Sequence, residues 1–404
     1  MRKVLLICAA IAASTAMFAQ KKNVSKAVSA INAAAVNPKE INYEKVNEAW
    51  ELIQPAMTDP VSSVMADTWY VAARVQCYYM NKMLTDRAAN GGQMDMDAFF
   101  QNQYDIVSYF SKCDLLEHTP NAKGKMPKEK YRKMNQQLAV GPHQNLLIAG
   151  SNLVNTDPEK CIKFLDLYFS SFEDSLFNGM NLQEKDTMRN DAYFIYASAM
   201  KSVAKTPEDT AKYADILVKS LDSKSYGKNA CFELMQISKN KGDLVKWNEY
   251  CAMGIEKYPE ESMFLKVLAQ NHMEKKEWDA ALVLCEKNIA RFPKDDWGYY
   301  NKALIFFNQE KFEEANEAFK KVAEVNPTNA DSWVAAGKAA WKLAQNNIQK
   351  KDVSKQYYLD AINCFEKARE IEPGKPELWG YSLYACYNNS GNLQKAKEFE
   401  KYSK

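Results

Sequence analysis

The sequence is short of the residues that make turns. It has 14 Gly and 13 Pro in 404 residues, too few for a β-rich or loop-rich chain, where tight turns consume both. Histidine is scarcer still (His118, His143, His272), and no two cysteines form a Cys-x-x-Cys pair. Zinc-type spacing is therefore lacking, and neither a metal nor a cofactor is expected. A Gly-rich phosphate loop, a Gly-x-Ser-x-Gly elbow and a His-Glu-x-x-His pair are also lacking, so no catalytic residue is assigned. Gly91-Gly92 reads as a turn between helices, because no strand precedes it as a dinucleotide cradle requires. Charge of one sign is missing too. The 53 basic residues nearly balance 51 acidic ones, which removes the global electrostatic reason to bind nucleic acid.

What is present favours helices. Ala, Lys, Glu, Leu and Met are frequent, and all propagate helices well. The chain is 47% apolar and 26% charged, a normal globular balance. The expected class is all-α.

The first residues read as a leader. Arg2 and Lys3 precede an apolar run from Val4 to Ala13, and Ala16-Met17-Phe18-Ala19 is a small-residue exit. This pattern predicts a secretory signal peptide over 1–19, cut after Ala19. The run is shorter than the roughly 20 residues needed to span a bilayer, so no integral membrane segment is expected after cleavage. Losing Arg2 and Lys3 brings the basic and acidic counts level. The strongest basic run, Lys123 to Lys133, lies between helical patterns and is read as a solvated loop. The eight cysteines beyond Cys8 fall mainly on apolar helical faces and are read as buried thiols. Cys231 and Cys251 are the pair to test for oxidation.

Internal periodicity decides the architecture. Pro259, Pro293 and Pro327 recur every 34 residues, and Pro373 follows after 46. Twelve residues before the last three stand Ala281, Ala315 and Ala361; eight before stand Cys285, Phe319 and Phe365. Small residues recur upstream at Ala269, Ala303 and Gly337. Two antiparallel helices approach closely only where both carry small side chains, so Ala303 should face Ala315 and Gly337 should face Ala361. The bulky residue would then fill the groove against the next hairpin, and proline would end each second helix.

This pattern resembles the tetratricopeptide repeat (TPR) family. The best unit carries Tyr299, Ala303, Phe306, Ala315, Phe319 and Pro327; the next carries Trp333, Gly337, Ala361, Phe365, Ala368 and Pro373. The resemblance covers about 260–402 and implies a right-handed α-solenoid of antiparallel helical hairpins. There are departures. Near 346–357 the chain holds about 12 extra residues, which should lengthen both helices of one hairpin. Trp247 stands where Ala belongs, and the last hairpin is read with a one-residue inner loop. Upstream the register fades, but helical periods recur near 43–57, 62–84, 97–118, 142–155, 158–173, 186–204 and 208–221, with breaks at Asp59-Pro60, Asn90-Gly92, Gly141-Pro142, Asp157-Pro158 and Thr206-Pro207. The expected organisation is therefore a leader at 1–19, degenerate helical repeats over 20–140, further degenerate hairpins over 141–258, and the repeat array over 259–404. Residues 20–40 are expected to be loosely ordered.

Stacked hairpins present a concave groove lined by the first helix of each unit. The family's groove positions, carried onto this chain, give Lys266, Gln270, Trp297, Tyr300, Asn301, Phe307, Asn308, Val334, Lys338, Trp341 and Lys342. Two readings of Trp297, Tyr300, Phe307 and Trp341 stay open: an exposed amphipathic groove for a peptide or partner helix, or packing against neighbouring units. One branch of the family clamps a peptide's terminal carboxylate with Lys, Asn, Asn, Lys and Arg. Lys266 and Asn301 fit two of those places, but Gln270, Asp331 and Ala335 do not, and Asp331 would repel a carboxylate. That clamp is not expected here. His272, where the repeat prefers an aromatic, is read as a packed ring. The functional expectation is a non-enzymatic exported scaffold that binds a protein or peptide partner in the periplasm or cell envelope. The alternatives are a glycan- or nutrient-binding accessory of an outer-membrane uptake system and a cryptic helical hydrolase with two inward carboxylates.

Overall fold

The computed structural model describes residues 20–35, 40–120, 124–403. The expected signal peptide at 1–19 lies outside the described residues. The fold is all-α, with no strand among the described residues. No described helix is long and apolar enough to cross a membrane. The chain divides into two compact units, with the boundary between Ala230 and Cys231.

In the first unit, α1 (20–33) is followed by α2 (Tyr43–Thr58), α3 (Ala66–Ala89), α4 (Met96–Glu117), α5 (Arg132–Leu153), α6 (Pro158–Ser170), the single-turn α7 (Leu182–Lys185), α8 (Arg189–Val203) and α9 (Pro207–Val218). Helices adjacent in sequence pack on one another from α2 to α6, and α6 then packs on α8 across the single-turn α7. Short joins between amphipathic helices produce this arrangement. Residues 20–40, expected to be loose, instead begin with α1, whose Val24, Ala27 and Ile31 are buried with Ala34 of the following turn in one cluster with α2 and α3. That stripe has helical spacing, but alanine makes it faint in the sequence. The expected break at Gly141-Pro142 is also corrected. Helix α5 runs through it with Pro142 buried inside. A proline there removes one intrahelical hydrogen bond, and burial of Ala139, His143, Leu146 and Leu147 on either side holds the helix together. Asp157 and Thr206 do cap helices that begin with proline, Thr206 within a full capping box. Asp59 instead ends α2 and accepts from the backbone N–H and hydroxyl of Ser62.

The second unit begins within α10 (Gly227–Asn240) and continues through α11 (Leu244–Lys257), α12 (Ser262–Glu274), α13 (Trp278–Arg291), α14 (Asp296–Asn308), α15 (Phe312–Val325), α16 (Ala330–Asn346), α17 (Lys351–Ile371), α18 (Pro376–Asn389) and α19 (Leu393–Glu398). From α11 to α19 each helix packs on the next, the stacking expected of a solenoid. Ala303 and Ala315 are both fully buried in one apolar cluster. A Cβ on Gly337 would stand 2.8 Å from the Phe365 ring, so this glycine makes room for Phe365. The lengthened hairpin is present in both helices: α16 and α17 have 17 and 21 residues, against 13 and 14 in α14 and α15.

The turn inside the hairpins repeats more faithfully than its sequence. Gly242, Lys276 and Glu310 all have positive φ, at 73°, 59° and 61°, and stand at one repeat's spacing. In each, the following N–H donates to a carbonyl five residues back: Asp243 to Ser238, Glu277 to His272, Lys311 to Phe306. This is the Schellman closure of a helix. It recurs at Gly391, where Asn392 donates to Tyr387. The last hairpin's inner loop therefore spans 390–392, not one residue. The hairpin containing Trp247 shares the closure, and Trp247 is buried there.

Candidate functional site

Two adjoining cavities open on the first helices of the second unit. One, of about 280 Å³, is lined by Tyr300, Leu304, Phe307, Phe319, Asp331, Val334, Ala335, Lys338 and Leu378. The other, of about 200 Å³, is lined by Phe307, Lys338, Trp341, Lys342 and Gln345. Phe307 and Lys338 belong to both, so the two form one groove across α14, α16 and α18.

The groove aromatics are packed on one side and open on the other. Tyr300 meets Phe319 edge-on at 5.7 Å between centroids, and Phe307 meets Phe312 at 5.3 Å. Trp341 rests edge-on against Phe365 at 6.5 Å and lies 6.1 Å from Tyr381. Tyr381 is itself 56% exposed. Both readings of these aromatics are thus partly realised: each is anchored by a neighbour and each leaves surface in or beside the groove. Burial raises the Tyr300 hydroxyl above its ordinary pKa, with Asp331 adding to the effect, so Tyr300 stays a neutral donor at physiological pH.

Of the sequence-derived set, the cavities collect Tyr300, Phe307, Val334, Lys338, Trp341 and Lys342. The other five lie elsewhere. Lys266 pairs with Asp295 at 2.6 Å and lies 5.7 Å from the Trp297 ring centre. Trp297 is half-buried against the α12–α13 cluster. Asn301 is buried and donates to the Trp297 carbonyl at 2.9 Å. Asn308 donates to the Leu304 carbonyl at 2.8 Å, and Gln270 is exposed. Sequence reasoning passed over Leu304, Leu378 and Tyr381. Leu304 holds the ninth position of its repeat, a groove position. Leu378 and Tyr381 stand on α18, to which the groove register was not extended.

Charge is uneven in this unit. Lys266, Lys302 and Lys320 are paired with Asp295, Glu286 and Glu317 at 2.6, 2.8 and 3.0 Å. Lys338 and Lys342 are exposed and have no carboxylate within ion-pair distance among the described residues. His272 is half-exposed and bonds Glu277 across the hairpin turn, where a packed ring was expected.

The first unit holds a second polar cluster, whose members pair mainly with one another. Asp114 and Glu117 are buried on α4. Asp114 meets Arg132 Nε at 3.1 Å and accepts from the Ser175 hydroxyl at 2.6 Å. Glu117 accepts the backbone N–H groups of Lys130 and Tyr131 at 2.7 and 3.2 Å. The Tyr131 hydroxyl donates to Asp67 at 2.6 Å, and its ring stacks on Tyr70 at 3.8 Å. The basic run is therefore only partly the solvated loop expected of it. Lys123 lies outside the described residues, Lys125 and Lys128 are exposed, and residues 130–132 fold back onto α4. His118 bridges the Asp114 carbonyl and Glu129; its pKa is raised first by that backbone hydrogen bond.

All eight described cysteines are buried free thiols. Burial pushes Cys251 and Cys285 up to about 12, which suppresses thiolate chemistry. Cys231 donates to the Tyr250 carbonyl at 3.2 Å, and Cys251 lies 3.2 Å from the Met235 sulfur.

The chain contains a tetratricopeptide repeat. The tetratricopeptide repeat family model matches residues 297–329, the unit with the fullest sequence pattern. No curated protein matches the chain. Among solved structures it is similar to the C-terminal part of a TPR repeat-containing protein from Cytophaga hutchinsonii, with 13% identity over 63% of this chain and 93% of that one, TM-score 0.43. It is also similar to MamA, with 17% identity over 44% of this chain and 90% of that one, TM-score 0.35. A third is YrrB, described as a TPR protein with an unusual peptide-binding site, with 17% identity over 50% of this chain and 94% of that one, TM-score 0.34.

Proposed function

We propose that this chain is a non-enzymatic, exported scaffold whose second unit binds a linear protein segment in the cell envelope. The observation that carries the reading is the groove: half-open aromatic faces on three successive first helices, beside two lysines with no carboxylate within ion-pair distance among the described residues. Such a surface offers apolar contact area and leaves fixed charges for orientation. The hydrolase alternative needs two carboxylates facing a pocket. The buried pair Asp114 and Glu117 is engaged by Arg132, Ser175 and the Lys130 and Tyr131 backbone, and Asp331 is the one acid lining the groove. A glycan-binding accessory role would use the same aromatic faces and is separated by the same experiment. The export reading is supported by the leader pattern at 1–19, and the envelope partner follows from it.

The test is crosslinked capture from envelope fractions using wild type and a Phe307→Ala/Trp341→Ala variant of unchanged helicity. Loss of captured protein in the variant is expected; capture that persists unchanged contradicts the groove, and groove-dependent retention of oligosaccharide alone would favour the glycan role. N-terminal sequencing of the exported protein should begin at Gln20. An intact Met1 in the cytoplasmic fraction would contradict export.

A further inference from the structure

We propose that the groove selects a segment of the form apolar-x-acid-x-acid, in which one apolar side chain and two carboxylates alternate with solvent-facing residues. This rests on the linear-segment reading above and adds the ligand's chemistry.

The first observation is electrostatic. Lys266, Lys302 and Lys320 each have a carboxylate within 3.0 Å, whereas Lys338 and Lys342 have none among the described residues. They stand four residues apart on α16, where like charges repel. The pair therefore costs stability in the free protein, and a counter-charge from outside relieves that cost. Both lysines line the Trp341 cavity, so a carboxylate meeting them lies beside an apolar wall.

The second observation is spacing. Val334, Lys338 and Lys342 follow one another at one-turn intervals along α16. Four helical residues advance about 6 Å. Two residues of an extended chain advance about 6.6 Å, and side chains two apart share a face. A segment laid along α16 therefore presents its first, third and fifth side chains to Val334, Lys338 and Lys342. Val334 borders the larger cavity, whose walls include Tyr300, Leu304 and Phe307. That cavity receives the apolar side chain. Asp331 borders the same cavity one turn before Val334 and disfavours an acid at that end, which fixes the order of the motif along α16.

The experiment selects a displayed library of random linear peptides on the full chain purified from its exported form. Enrichment of two acids two residues apart, the first two residues from an apolar side chain, is expected. A synthetic peptide of the enriched sequence should quench or shift tryptophan fluorescence on binding. Changing its two acids to Gln, or the protein's Lys338→Gln/Lys342→Gln, should weaken binding about three- to tenfold, the effect of two partly exposed ion pairs. Equal binding of the Gln peptide, or no loss in the lysine variant, overturns the carboxylate assignment. If Phe307→Ala with unchanged helicity still abolishes binding in that case, the groove reading stands alone. If Phe307→Ala also binds normally, both fail. A single-stranded oligonucleotide also suits lysines beside aromatic faces. Its displacing the peptide at equal concentration would likewise overturn the assignment.

Discussion

The two units use the same helical hairpin but secure it differently. In the second unit four hairpin joints are made of backbone: a left-handed residue and a five-residue closure recur at Gly242, Lys276, Glu310 and Gly391. In the first unit the helices reach 24 and 22 residues, and a key joint is made of side chains, with Asp114, Glu117, Arg132, Tyr131 and Ser175 tying distant segments together. A backbone joint tolerates sequence change, so it can be repeated while groove residues vary. A side-chain joint cannot be repeated without repeating each partner. The periodic unit thus keeps its surface free for binding, while the irregular unit commits its most distinctive polar residues to holding itself together.

The largest effect should come from breaking the side-chain joint. Arg132→Gln leaves the buried Asp114 carboxylate without its cation and should destabilise the first unit by about 3 kcal/mol. Chemical denaturation followed by tryptophan fluorescence would check it; a loss below that of an ordinary surface substitution would show that the joint is dispensable. Next is close packing in the second unit. A Cβ at Gly254 would stand 2.3 Å from the Phe264 ring, which is buried. Gly254→Ala should cost about 1–3 kcal/mol through overpacking, although alanine is the better helix former. A higher Tm in this variant would mean the helices stand further apart.

Glu310→Gly runs the other way. A side chain at φ 61° is strained, and glycine should relieve this for a gain of about 0.5–1 kcal/mol. The same change at Glu314, inside α15, should cost a similar amount. Thermal unfolding of the two variants should shift in opposite directions, and matching shifts would refute the recurring turn. The smallest effect concerns His118. Its pKa is raised in the fold, so its contribution is present below the unfolded value near 6.5 and is lost as pH rises through the higher folded value. The first unit should lose a little stability above neutral pH, and His118→Gln should flatten that slope. An unchanged slope in the variant would assign it to another group.

The repeat array was legible because its information lies in spacing. Proline at four hairpin ends and small residues at most crossings survive as a pattern even where single residues vary. The recurring turn was not legible, since Gly, Lys and Glu occupy equivalent positions and only the backbone angle is shared. Helix α1 was hidden by its alanines, which bury completely while contributing little hydrophobic signal. Pro142 misled in the opposite sense, as a residue that ends isolated helices but is carried here by packing on both flanks. In the groove, Tyr300, Phe307, Lys338, Trp341 and Lys342 follow from repeat position alone. Lys266 holds a groove position and Asn301 a clamp place in the sequence too, but local partners claim them: Asp295 for one and a backbone carbonyl for the other. Repeat position cannot report such competition.

The division of labour between the units is tested most directly by mapping crosslinks between this protein and any captured partner with a short lysine-reactive reagent and mass spectrometry. Partner crosslinks concentrated at Lys338 and Lys342, and lost on competition with a groove peptide, are the predicted result. Crosslinks concentrated on lysines of the first unit, with Lys338 and Lys342 freely labelled in the complex, would contradict it.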